Sequence, residues 1–107
     1  MALEVFEVAV QMVGSLREPL AVLERRDPDL ARQVRRAAAS VALNIGEGRR
    51  RNGKDRIHLW RVAAGSADEV ATAMRVAEAF GYLRGGDVAA PLKLCDRVLA
   101  MLWRLTR

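Results

Sequence analysis

Apolar side chains recur every three or four residues along almost the whole of this chain, in long runs cut by short clusters of proline, glycine and aspartate. That spacing lines them along helix faces, and no segment shows the two-residue alternation of a half-buried strand. A chain patterned this way buries its apolar stripes by packing helix on helix. With 107 residues it can form one small core, so a single domain over residues 1–107 is expected. Only 5% of the residues are aromatic against 51% apolar overall, which makes that core aliphatic.

Leu3, Phe6, Val10 and Val13 form one line of the first segment, continued by Leu16, Leu20 and Leu23 to about Arg26. Val5, Ala9 and Met12 make a second line beside it, which predicts burial on two sides. Pro19 has no N–H to donate, so a kink or break is expected near Leu16–Arg17. Asp27-Pro28-Asp29 has the form of a helix start: a side-chain cap, a proline at the first helical position and an acid on the positive end of the dipole. The second helix should run to about Glu47 on Leu30, Val34, Ala37 or Ala38, Val41 and Ile45, with Gly48 at the C′ position. A turn around Asn52-Gly53 follows. The third helix should span about Lys54 to Phe80, and its alanines between residues 63 and 79 would let neighbours approach closely. Gly81 ends it and Gly85-Gly86 marks the next break. Asp87 is expected to cap the fourth helix, with Pro91 in its first turn and Leu92, Cys95, Val98, Leu99, Leu102 and Leu105 on its stripe. Four helices with short connections pack most simply as an all-α, antiparallel up-and-down four-helix bundle.

The charge is concentrated. Residues 32–61 hold Arg32, Arg35, Arg36, Arg49, Arg50, Arg51, Lys54, Arg56 and Arg61 against only Glu47 and Asp55, nine basic groups to two acidic. The whole chain carries +5, so the remainder is slightly acidic and the excess is local. A concentration of this kind suits a polyanion partner. The single cysteine, Cys95, allows no intrachain disulfide and sits on a core stripe. No basic leader precedes the first apolar run, and no run reaches the roughly 20 residues of a membrane span, so a cytoplasmic protein without membrane contact is expected.

Three motifs occur in order: Gln33-Val34-Arg35-Arg36-Ala37, then Asn44-Ile45-Gly46-Glu47-Gly48 before the basic turn, then Gly65-Ser66-Ala67-Asp68-Glu69, with Gly81-Tyr82-Leu83 closing the third helix. On these residues the chain resembles the bacterial four-helix-bundle family of the 23S rRNA intervening-sequence protein, which includes the accessory variability determinant of diversity-generating retroelements. The resemblance covers nearly the whole chain. It implies a homopentamer, often a ring around a central pore, and for the retroelement member it implies binding to nucleic acid and to a reverse transcriptase. Gly46 stands where the family usually has alanine, and the turn is more basic than in many members.

Asn44, Glu47, Ser66 and Glu69 are expected to hydrogen-bond across the two middle helices, with Arg61 as counter-charge and Gly48 closing the motif. Arg32, Arg35, Arg36, Arg49, Arg50, Arg51, Lys54 and Arg56 are the expected contacts to RNA or DNA phosphates. Arg35 and Arg36 could instead be salt-bridge partners between subunits. The sole histidine, His58, belongs to no Glu-x-x-His motif, so no metal or other cofactor is expected. No nucleophile-and-base arrangement or phosphate-binding glycine loop occurs, which argues against an enzyme and a small-molecule substrate. The sequence therefore points to a homo-oligomeric nucleic-acid-binding scaffold, and leaves open a structural or protein-interaction module whose arginines serve assembly.

Overall fold

The computed structural model describes residues 2–107, with side chains from Leu3 onward. These residues form five helices and no strand: α1 (Ala2–Ser15), α2 (Arg17–Arg26), α3 (Pro28–Gly48), α4 (Gly53–Ala79) and α5 (Gly85–Thr106). The molecule measures 42 × 21 × 18 Å. Around one continuous core α3 lies beside α4, α4 beside α5, α5 beside α1 and α1 beside α3, while α2 rests mainly on α3.

The first expected helix is two helices. Pro19 is the third residue of α2 and offers no N–H to the Ser15 carbonyl. The chain tightens before it: Leu16 N–H donates to the Val13 carbonyl at 3.1 Å, and the Ser15 hydroxyl donates to the Met12 carbonyl at 2.6 Å. The α1 face also differs from expectation. Val5, Val8, Ala9, Met12 and Leu16 are buried, whereas Leu3, Val10 and Val13 face outward. Two adjacent apolar lines are indistinguishable by period alone, and contact with α3 and α5 selects the line that carries Ala9.

The caps follow local chemistry. Asp27 accepts from the Leu30 N–H at 3.1 Å, with Pro28 opening α3. At the end of α4, Gly81 takes φ +79°, and the N–H groups of Gly81 and Tyr82 donate to the Glu78 and Ala77 carbonyls at 2.9 Å each. This is a Schellman closure, and the positive φ is why glycine stands there. Asp87 lies inside α5 and not at its cap. From there its carboxylate accepts from the Arg84 N–H at 2.8 Å, so the cap is Arg84, α5 begins three residues earlier than expected and Pro91 falls in its second turn. Gly48 is the last residue of α3 and has no positive φ, so it is not a C′ glycine.

Alanines 31, 37 and 38 of α3 and alanines 63, 67, 73 and 77 of α4 are all buried. The longer core side chains that surround them include Met12, Leu23, Ile45, Met74 and Leu102. Gly46 is not required by this packing: a Cβ there would meet Phe6 Cε1 at 3.5 Å, an ordinary contact. Gly46→Ala should therefore stabilise the fold by about 1 kcal/mol, the helix-propensity difference, read as a higher urea midpoint with unchanged slope.

Cys95 is fully buried, and burial first, then the charges of Asp96 and Asp68, raise its thiol from 9.0 to about 11. The thiol should resist an aromatic disulfide reagent at about pH 8 in the native protein and react in denaturant. Because the folded state holds this proton more tightly, its contribution is complete below pH 9.0 and is lost as pH rises towards about 11. Stability measured over that alkaline window should fall less for Cys95→Ser than for the native chain.

Candidate nucleic-acid interface

The end of α3 is organised by Trp60, which is 3% exposed. Its indole Nε1 donates to the Ile45 carbonyl at 3.2 Å, a carbonyl that also accepts from the Arg49 N–H at 3.1 Å. The ring lies against Gly48, where a Cβ would stand 2.4 Å from Nε1 and 2.6 Å from Cδ1. No other residue type fits without moving a buried ring. Arg56, from the first turn of α4, completes the arrangement. Its Nε donates to the Gly48 carbonyl at 3.1 Å and its Nη2 to the Arg49 carbonyl at 3.3 Å, and its guanidinium lies 5.4 Å from the Trp60 ring centroid. One side chain thus donates to the last carbonyl of α3 and to that of its cap residue, places a cation on the negative end of the helix and covers the indole.

Arg56, one of the expected phosphate contacts, is therefore engaged in the fold through its Nε, its Nη2 and the face of its guanidinium. The other basic residues also divide. Arg32 pairs with Asp29, Arg35 with Glu24 at 2.6 Å and Arg51 with Glu47 at 2.7 Å, all in exposed pairs. The Glu47 hydrogen bond, then its charge and more weakly that of Asp55, hold the Arg51 guanidinium above its ordinary pKa. Arg36, Arg49, Arg50 and Lys54 are exposed and make no ion pair with the described residues. Arg36 and Arg49 are 13 residues apart, about 20 Å along the axis at the helical rise. The expected single cluster is thus two: one at the start of α3, where two of the three arginines are paired, and one at the α3–α4 turn. Arg49 leans over Phe6 of α1, its guanidinium 5.5 Å from the ring centroid.

The expected polar network is smaller than its sequence motif. Ser66 of α4 donates to the Ser40 hydroxyl at 2.8 Å, and Asn44 Nδ2 donates to the Ser40 carbonyl at 2.9 Å and hydroxyl at 3.0 Å. Ser40, absent from the expected set, is its centre; its hydroxyl lies one helical turn from Asn44 and opposite Ser66. Glu47 and Glu69 are exposed and do not join α3 to α4. Arg61 donates to the Thr106 carbonyl of α5 at 3.1 Å and neutralises neither acid. Small hydroxyls fit between close helices where carboxylates would lose their hydration.

Two surface grooves flank the exposed Leu43. One, about 460 Å³, is lined by Phe6, Ala42, Gly46, Glu47, Arg49 and Arg50. The other, about 390 Å³, holds Asn44, Arg51, Asp55 and His58. No group of three or more His, Cys, Asp or Glu side chains is placed to hold a metal among the described residues. No helix among them is long and apolar enough to cross a membrane.

The fold is similar to the crystal structure of a protein of unknown function from the S23 ribosomal protein family of Bacteroides thetaiotaomicron VPI-5482. The TM-score is 0.86 at 14% identity, over 96% of this chain and 98% of that one. No significant match is found among curated proteins. The model of the 23S rRNA-intervening sequence protein family matches residues 1–104, which takes in the Asn44–Gly48 motif, the Trp60 contact, α1 to α4 and most of α5. By that match over nearly its whole length, the chain belongs to the 23S rRNA-intervening sequence protein family.

Proposed function

We propose that this chain is a non-enzymatic, homo-oligomeric scaffold that holds RNA or DNA by its phosphates at the α3–α4 turn. One observation carries the reading. Arg56 already supplies a cation and donors to the end of α3, yet Arg49, Arg50 and Lys54 stand beside it exposed and without carboxylate partners among the described residues. Cations surplus to capping, grouped on one turn, suit a phosphate backbone. The family name, which refers to an rRNA insertion, agrees with a nucleic-acid context.

Two further features support assembly. Leu3, Val10 and Val13 keep helical spacing on α1 but remain exposed among the described residues, and Trp103 of α5 is 64% exposed. Large apolar side chains in such positions suit contact with further copies of the chain. The pairs Ile45–Trp60 and Ser40–Ser66 descend along α3 as they ascend along α4, which supports the antiparallel order of a bundle. In a ring of five, the arginine turn would recur once per subunit, and weak phosphate contacts would gain avidity. In a retroelement the same ring would hold template RNA beside a reverse transcriptase.

The test is binding of the purified protein to RNA, DNA and a hybrid over a salt series, beside an Arg49→Ala/Arg50→Ala variant. Affinity should fall steeply between about 50 and 200 mM salt, and the variant should show a shallower slope. Absence of binding at low salt would exclude the nucleic-acid role and leave an assembly module with an acidic protein partner.

A further inference from the structure

Phosphate contacts alone leave the groove between α1 and the end of α3 unused. It is about 460 Å³, with Phe6, Ala42, Leu43 and Gly46 forming an apolar bed and Arg49 and Arg50 at its rim. Leu43, on this groove's edge, is 70% exposed. Gly46 leaves the bed open next to the Phe6 ring edge, where any side chain would begin to fill it. Glu47 also borders the groove, but its carboxylate is held by Arg51 at 2.7 Å, so the free charge at the rim is positive.

An apolar slot with an aromatic wall and two unpaired guanidiniums combines the two elements that single-strand sites use: a surface for a base and cations for the adjoining phosphates. We infer that this groove receives an unpaired nucleobase, with the neighbouring phosphates on Arg49 and Arg50, so that the protein prefers single-stranded nucleic acid to duplex. This rests on the phosphate-binding reading above and adds strand selectivity to it. A duplex reaches the arginines with its backbone but keeps its bases stacked and out of the groove. The Arg49 guanidinium, already against the Phe6 ring, offers a second flat face on which the base stacks.

The experiment compares a fluorescein-labelled oligouridylate with a blunt RNA duplex of equal length by anisotropy at one salt concentration. The native protein should bind the single strand about tenfold more tightly, the scale of one stacked base. Gly46→Gln fills the groove without changing charge; it should remove most of that preference and leave duplex affinity unchanged. Gly46→Ala, which fits in ordinary contact with Phe6, is the milder filling and should lose part of it. Light scattering of the variants reads assembly. A changed subunit number would put a second copy of the chain in the groove and overturn the inference, as would equal single-strand and duplex affinity. Loss of all binding dependence on Arg49 and Arg50 would sink the phosphate reading itself. Arginine-dependent binding that ignores the groove variants would sink only the strand selectivity.

Discussion

Gly48→Ala is expected to destabilise the protein by about 3 kcal/mol, combining overpacking of a closed core with loss of a buried hydrogen bond. The added methyl would stand 2.4 Å from Trp60 Nε1, so the indole or the end of α3 must move. Either movement pulls Nε1 from the Ile45 carbonyl and lifts the ring from beneath Arg56. The measurement is urea unfolding followed by far-ultraviolet circular dichroism, where the midpoint should fall sharply. A Trp60→Phe background supplies the internal check. The smaller ring leaves room for the methyl, so the penalty of Gly48→Ala should shrink, and the two changes should couple by more than about 0.5 kcal/mol. Full additivity would mean that the glycine is not there for the tryptophan.

The second large effect separates neighbouring arginines. Arg49→Glu with Arg50→Glu should weaken nucleic-acid binding by about a hundredfold at low salt, since each subunit loses two phosphate partners and gains repulsion. The unfolding midpoint should fall only modestly, by the Arg49–Phe6 contact and the helix-end charge, because neither side chain has an ion-pair partner among the described residues. Arg56→Ala should do the opposite: about 1–2 kcal/mol of stability lost with the cap and the indole cover, and little change in binding per folded molecule. If Arg56→Ala abolished binding in a fully folded protein, the division of labour at this turn would be wrong. If the glutamate pair instead dissociated the oligomer, the arginines would belong to assembly.

Helicity, the Asp27-Pro28 start, the Gly81 closure, the break ahead of Pro19, the core stripe of α3 and the buried alanines of α4 were legible in the sequence. Each is local: a cap, a missing N–H or a period of three to four residues acts within one or two turns. The cost of Pro19 was legible too, although it separates two helices and does not merely bend one.

The functional surface was less legible, because its geometry depends on residues far apart in sequence. The nine basic residues between 32 and 61 look like one cluster on paper, but a straight helix carries Arg36 about 20 Å from Arg49. Arg56 resembles its neighbours until Trp60 and the end of α3 are brought beside it. The choice between two apolar lines on α1 fell to α3 and α5, which left Leu3, Val10 and Val13 outside. Glu47 and Glu69, conspicuous in their motifs, stayed in water, and the inconspicuous Ser40 became the link between helices. Sequence by itself determined which segments are helices and where they stop, because those decisions rest on interactions a few residues apart. Only the tertiary structure decided which cations are already engaged and which face solvent, because burial and pairing are properties of neighbours that the chain acquires on folding.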